Sequence, residues 1–153
     1  MQLTFDEFNA DTDTEEYLRL TDDNLRLIRG DLTHFFLNIG EKKRLQGFLK
    51  NSVLFTIKVN HELAGFTAYT LIKDRRTALI ERFNLKTRFR GQGFGTRALE
   101  FVEAKAKESG CSRLELAVYA SNPALRLYKR FGFKKIGLFR GICWWIYRLR
   151  KDM

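Results

Sequence analysis

Between Gly93 and Ser109, apolar residues recur at Phe94, Ala98, Leu99, Val102 and Ala106, and Gly110 follows. That spacing puts one apolar stripe on a helix and a glycine where the helix should stop. Upstream the pattern is different. Val53-Leu54-Phe55-Thr56-Ile57-Lys58-Val59 and Leu63–Ile72 are rich in β-branched and aromatic residues, and Asn60-His61-Glu62 between them is suited to a tight turn, so the pair predicts a hairpin. Lys73-Asp74-Arg75-Arg76 turns the chain into a third strand, Thr77–Leu85, and Arg113–Tyr119 is a fourth beyond the helix. A strand, a helix and a strand in that order predict one parallel βαβ crossover inside a mixed sheet. Ser121/Asn122 can cap a short helix with Pro123 at its first position, with Ala124, Leu127, Tyr128 and Phe131 on one face and Gly132 at its end. Phe133–Leu138 and Ile142–Leu149 predict a final strand pair. At the other end, a short strand is expected near Gln2–Phe8, and Asp11-Thr12-Asp13-Thr14 offers helix caps. Leu18, Leu25, Leu27, Ile28, Leu32, Phe35, Phe36 and Ile39 follow at mostly helical spacing, with Gly30 and Gly40 expected to interrupt or end the pieces and Arg44–Lys50 as one more short helical turn.

The chain has 153 residues, 44% of them hydrophobic and 30% charged, which suits one globular domain with a substantial core. No apolar run approaches the roughly 18 residues of a membrane helix. Met1-Gln2-Leu3-Thr4-Phe5-Asp6-Glu7 lacks the basic start and apolar run of a secretory signal, so a cytoplasmic location is expected. Two cysteines (Cys111, Cys143) and two histidines (His34, His61) predict reduced thiols and no metal site. Charge is unevenly placed. Residues 1–24 carry a net −7, and the rest of the chain a net +17. Such a field attracts anions: nucleic acid, lipid headgroups or a phosphate-bearing cofactor.

The segment Arg88-Phe89-Arg90-Gly91-Gln92-Gly93-Phe94-Gly95-Thr96-Arg97 joins the third strand to the long helix. Glycines on alternate positions let the main chain turn sharply and approach a ligand. The helix start adds unpaired N–H donors and a positive dipole end, which suits a diphosphate. Lys86, Arg88, Arg90 and Arg97 add charge around the loop. A Walker loop is excluded because no Gly-Lys pair occurs in the chain. A dinucleotide fingerprint fails because the third glycine comes one residue early. A glycine-rich turn that only packs helix on strand is the plain alternative.

Arg90-Gly91-Gln92-Gly93-Phe94-Gly95 resembles the Arg/Gln-x-x-Gly-x-Gly/Ala acetyl-CoA pyrophosphate motif of the GNAT N-acetyltransferase superfamily. The order around it is similar as well: strand Thr77–Leu85, helix Gly93–Ser109, strand Arg113–Tyr119, then Leu127-Tyr128 through Gly132-Phe133. The resemblance spans residues 53–149 and implies an α/β (α+β) fold: a mixed, mainly antiparallel sheet of six to seven strands with helices on both faces. It divides a single domain, 1–153, into a variable helical acceptor-side segment (1–50) and an acyl-CoA-binding core (53–149). It implies acetyl transfer from acetyl-CoA to a primary amine of a small molecule or peptide, through a tetrahedral intermediate and without a metal. Arg90, Gly91, Gln92, Gly93, Phe94, Gly95 and Thr96 then bind the diphosphate. Main-chain groups of Phe83, Asn84 and Leu85 bind the pantetheine arm and thioester.

By the same resemblance Tyr128 protonates the leaving sulfur, a task open to a phenol with a pKa of about 10. From its helix face alone it reads as a core tyrosine before an acid. Glu81 shares a strand face with Leu85 and is the expected base for the amine proton. Glu115 and ordered water remain alternatives. The family's asparagine seven residues before the tyrosine falls on Ser121 here, with Asn122 one step late, so either can touch the cofactor arm. Thr87 stands where the family often has proline. Arg126, Lys129, Arg130, Lys134 and Lys135 surround the Tyr128 helix, facing solvent, an adenosine 3′-phosphate or an acidic surface. The resemblance draws the acceptor pocket from Leu25–Ile39 and Leu138–Gly141, where Phe35, Phe36, Trp144 and Trp145 are either lining or core. The positive field disfavours polyamines as acceptors. Two other readings stand beside the enzyme: a nucleic-acid or ribosome-binding module, disfavoured by phenylalanines at core spacing, and a non-catalytic acyl-CoA-binding protein. No membrane partner is expected, and dimers are common in such folds.

Overall fold

The computed structural model describes residues 1–29, 34–141 and 145–153, with side chains for 1–27, 40–141 and 145–153. Its strands are β1 (Leu3–Glu7), β2 (Val53–Val59), β3 (Glu62–Ile72), β4 (Thr77–Leu85), β5 (Arg113–Tyr119), β6 (Lys134–Arg140) and β7 (Trp145–Asp152). Its helices are α1 (Ala10–Arg29), α2 (His34–Asn51), α3 (Phe94–Glu108) and α4 (Leu125–Arg130). The strands form a sheet in the order β1-β2-β3-β4-β5-β7-β6. The pairings β1–β2, β5–β7 and β6–β7 are antiparallel, and β4–β5 is parallel. The chain divides into two compact units: Met1–Ala68 with Arg82–Gln92, and Tyr69–Glu81 with Gly93–Met153.

In the first unit, Tyr17 and Leu20 of α1 meet Leu45 of α2, Leu54 of β2 and Phe66 and Ala68 of β3. Phe8, Tyr17 and Phe66 pack edge to face, with centroids 5.5–5.8 Å apart. The β2–β3 hairpin closes over Asn60 and His61, whose φ angles of 49° and 67° are those of the turn that matches strand twist. Buried among these elements, Glu41 of α2 accepts hydrogen bonds from Arg82 Nη2 on both oxygens (2.7 and 2.8 Å) and from Arg44 Nη1 (3.0 Å). The Arg82 guanidinium also lies 5.3 Å from the Phe48 ring centroid.

Two of the helical expectations are corrected here. Gly40 does not break the helix, and Arg44–Lys50 is not a separate turn: α2 runs from His34 through Asn51. A glycine in a helix interior costs about 1 kcal/mol. The buried partners Glu41 and Leu45 hold this stretch helical despite it. Gly30 lies outside the described residues.

In the second unit, Phe94, Ala98, Leu99, Val102 and Ala106 are all buried, as their spacing predicts, and α3 packs on β5. Leu114, Leu116 and Val118 of β5 and Leu149 of β7 complete this core. Helix α4 begins later than expected. Asn122 Oδ1 accepts from the Ala124 N–H at 2.9 Å, so Pro123 lies in the preceding turn, and the helix starts at Leu125.

Candidate active site

Alternation along β4 separates its polar side chains. Glu81 shares a face with Phe83 and Leu85, whereas Arg82 and Asn84 face the other way. Thr70 Oγ1 donates to Glu81 Oε1 at 3.3 Å. On the other face Arg82 meets Glu41, and Asn84 Nδ2 donates to Thr21 Oγ1 of α1 at 3.2 Å. The parallel register of β4 with β5 runs from Thr77↔Arg113 to Ile80↔Leu116, while β4 itself continues to Leu85 and β5 to Tyr119.

Gly65 of β3 sets how closely the end of β4 is approached. A Cβ there would stand 2.0 Å from the Asn84 carbonyl oxygen and 2.9 Å from Leu85 Cδ2. Only glycine fits without moving the strand. Gly65→Ala should therefore lower unfolding stability by about 2–3 kcal/mol, read as a shifted denaturation midpoint at unchanged slope. A variant as stable as the parent would show that β4 moves freely there.

After Leu85, Thr87–Phe89 form a single tight helical turn with Phe89 buried. Gly91 and Gly93 then have φ angles of 72° and 83°. L side chains rarely adopt this region, so the backbone itself demands these two glycines. A Cβ at either would meet nothing within 4 Å, so the two glycines are there for their backbone angles and not for lack of space. Gly93 is also the N-cap of α3, and no side chain caps the helix among the described residues. The first intrahelical bond runs from Arg97 N–H to the Gly93 carbonyl at 3.2 Å. A glycine turn feeding an uncapped helix start can hold an anion on main-chain donors.

The charged and polar side chains of the loop turn back into the protein. Arg90 Nε donates to the Leu85 carbonyl at 2.9 Å, and Arg90 Nη2 donates to Asn24 Oδ1 of α1. Gln92 Nε2 donates to the Arg88 carbonyl at 2.6 Å. Lys86 pairs with Glu16 at 2.6 Å, and Arg88 pairs with Glu62. Of the four bases expected to add charge around the loop, two are therefore neutralised by carboxylates and Arg90 is spent on its own scaffold. Arg97 has no carboxylate partner among the described residues.

Tyr128 is buried on α4, and its ring meets Phe133 edge to face with centroids 5.8 Å apart. Burial pushes its phenol well above the usual tyrosine range, so it stays protonated at neutral pH. Glu115 is buried and committed. It sits opposite Arg150 in the β5–β7 register, accepts from Arg150 Nε at 2.9 Å and stands 3.5 Å from Arg148. Asn122 Oδ1 is occupied by Ala124, which leaves its Nδ2 for any ligand, and Ser121 is exposed. Arg126, Lys129, Arg130, Lys134 and Lys135 are all exposed.

Phe35, Phe36, Trp144 and Cys143 lie outside the described side chains. Trp145 is 48% exposed on β7, 4.8 Å from the Arg140 guanidinium. Cys111 is a buried free thiol, raised in pKa by that burial. Among the described residues no cluster of His, Cys, Asp or Glu can hold a metal, and no helix is long and apolar enough to cross a membrane. Asn24, Glu41 and Gly65 were not singled out from sequence. A glycine inside a β-rich run was the available sign for Gly65.

A helix start that no side chain caps, behind a glycine turn and on a mixed sheet with one parallel crossover, marks the class of α/β folds that hold an anion on main-chain donors. The profile of the Acetyltransferase (GNAT) family matches residues 5–133, and the chain belongs to that family. The match begins well before the motif-bearing core and includes α1 and α2. Among curated relatives, the spermine/spermidine N(1)-acetyltransferase of Bacillus subtilis is 32% identical over 81 residues, covering 48% of this chain and 53% of the relative. The chain thus spans about half the length of the curated relatives it matches. Among solved structures, the PaiA N-acetyltransferase of Thermoplasma acidophilum in complex with coenzyme A superposes with a TM-score of 0.83 at 17% identity, over all of both chains. A GNAT family acetyltransferase from Elizabethkingia anophelis with acetyl-CoA bound gives 0.73 at 20% identity, over 99% of this chain and 98% of that one. These two likenesses show that the fold is shared.

Proposed function

We propose that this chain transfers an acetyl group from acetyl-CoA to a primary amine of a small molecule or peptide. The observation that carries the reading is the left-handed turn at Gly91 and Gly93, which leads into a start of α3 that no side chain caps. Main-chain amides from Gly93 to Thr96 fit a diphosphate without any side-chain donor. The inward-turned Arg90 and Gln92 support this, since the motif's side chains build the loop itself.

Phe83, Asn84 and Leu85 take the pantetheine arm and the thioester carbonyl through their main chain. The amine nitrogen attacks that carbonyl, and a C–N bond forms. As the C–S bond breaks, the Tyr128 phenol gives its proton to the sulfur, and Glu81 accepts the proton lost by the nitrogen, directly or through water. The products are an amide and free coenzyme A. The commitment of Glu115 to two arginines favours Glu81 as the base. The names of relatives place amines of different kinds among the family's acceptors, and the net charge of +10 weighs against polycationic ones here.

Free thiol release from acetyl-CoA, measured across a panel of amines, amino acids and peptides, tests the reading. Amine-dependent release by this chain is expected. Release no faster than the buffer rate with every class, despite coenzyme binding, would reduce the chain to an acyl-CoA-binding protein. Steeply salt-dependent nucleic-acid binding without coenzyme binding would replace the reading altogether.

A further inference from the structure

Arg90 ties the loop that leaves β4 to Asn24, 66 residues away in sequence on the helix that also holds Lys86 through Glu16. Asn24 stands on α1, three residues after Thr21, so both fall on one helix face. Each reaches the segment that leads to the glycine turn: Thr21 accepts from Asn84, and Asn24 accepts from Arg90. Arg90 in turn donates through Nε to the Leu85 carbonyl. Its two guanidinium contacts are with neutral oxygens, and no carboxylate pairs with it among the described residues. Asn24 keeps its own Nδ2 buried with no hydrogen-bond partner among the described residues. An unmade hydrogen bond on a buried donor is costly. The arrangement therefore serves the oxygen rather than the amide nitrogen.

We propose that Asn24 is a positioning residue for the coenzyme loop: it orients Arg90, whose Nε holds the Leu85 carbonyl, and thereby fixes the path of the chain from β4 into the Gly91–Gly93 turn. The consequence for coenzyme affinity rests on the acetyl-CoA reading above; the consequence for loop order does not. Preorganised donors bind an anion more tightly than donors that must first be ordered. Loss of one hydrogen bond to a charged group amounts to roughly a tenfold change in an equilibrium constant.

Two variants and two readouts test this. Asn24→Ala removes the acceptor. Asn24→Asp keeps an oxygen toward Arg90, adds its counter-charge and removes the unsatisfied donor. In the coenzyme-free chain, amide hydrogen exchange at Lys86, Phe89 and Arg90, whose N–H groups donate to the carbonyls of Ala64, Lys86 and Thr87, should speed up about tenfold in Asn24→Ala and stay within about twofold of the parent in Asn24→Asp. Exchange in β5 and β7 should not change in either. By titration calorimetry, the dissociation constant for coenzyme A should rise about tenfold in Asn24→Ala and recover in Asn24→Asp. Unchanged exchange in Asn24→Ala, or an Asn24→Asp loop as loose as that of Asn24→Ala, would overturn the positioning role. A parent chain that binds no coenzyme A would instead overturn the acetyl-CoA reading, and the exchange result would still decide whether Asn24 orders the loop.

Discussion

Replacing Tyr128 with phenylalanine should lower turnover by about 10²-fold or more while changing coenzyme A affinity by less than about twofold. General acid catalysis contributes about 10²–10⁴-fold, and the substitution removes the only proton the side chain can give. It leaves the ring, which makes the edge-to-face contact with Phe133 at 5.8 Å. The core around α4 therefore stays filled, and a drop in rate reports the hydroxyl. Burial holds the phenol protonated well beyond neutral pH, so the acid should not be lost as the pH rises toward 9. A rate-against-pH profile should accordingly show no falling limb from this residue below that point. Steady-state thiol release with calorimetry on the same variant decides the matter. A variant with parental turnover would return Tyr128 to the role of a core side chain.

The second large effect concerns folding. Glu41→Ala should destabilise the chain by about 3–5 kcal/mol, the usual result of removing one partner from a buried ion pair. The Glu41 side chain is 4% exposed and that of Arg82 20%. After the substitution the Arg82 guanidinium has lost its carboxylate in a place water scarcely reaches. For a domain of this size, a loss of 3–5 kcal/mol corresponds to a melting point about 6–20 °C lower. Glu41→Leu combined with Arg82→Met should cost clearly less than Glu41→Ala alone, because both charges leave together. Denaturant titration of the three variants checks the ordering. Equal losses in the single and double variants would mean that packing of α2, and not charge, sets the cost.

The parts of the fold legible in the sequence are those governed by nearby residues. The α3 stripe, the Asn60-His61 turn and the strand-helix-strand crossover each depend on spacing over a few positions. The continuity of α2 through Gly40 was not legible because the partner of Glu41 is Arg82, 41 residues beyond it. Helix α4 was placed too early because Asn122, a good helix cap in isolation, bonds to Ala124 and builds a turn instead. The same distinction runs through the site. The glycines of the loop were readable because positive φ angles select for glycine. The inward turn of Arg90 and the pairing of Lys86 and Arg88 were not, since their partners Asn24, Glu16 and Glu62 come from distant segments. The contact of Glu115 with Arg150 was not legible either, since its partner strand comes 35 residues later.

The claim on which the functional account stands is that main-chain amides at the start of α3 hold a diphosphate. Following the amide signals of the isotopically labelled protein by NMR during titration tests it directly. Gly93, Phe94, Gly95 and Thr96 should shift saturably with coenzyme A and stay put with pantetheine, which lacks the diphosphate. Signals at these four residues that ignore coenzyme A, or respond alike to pantetheine, would contradict it.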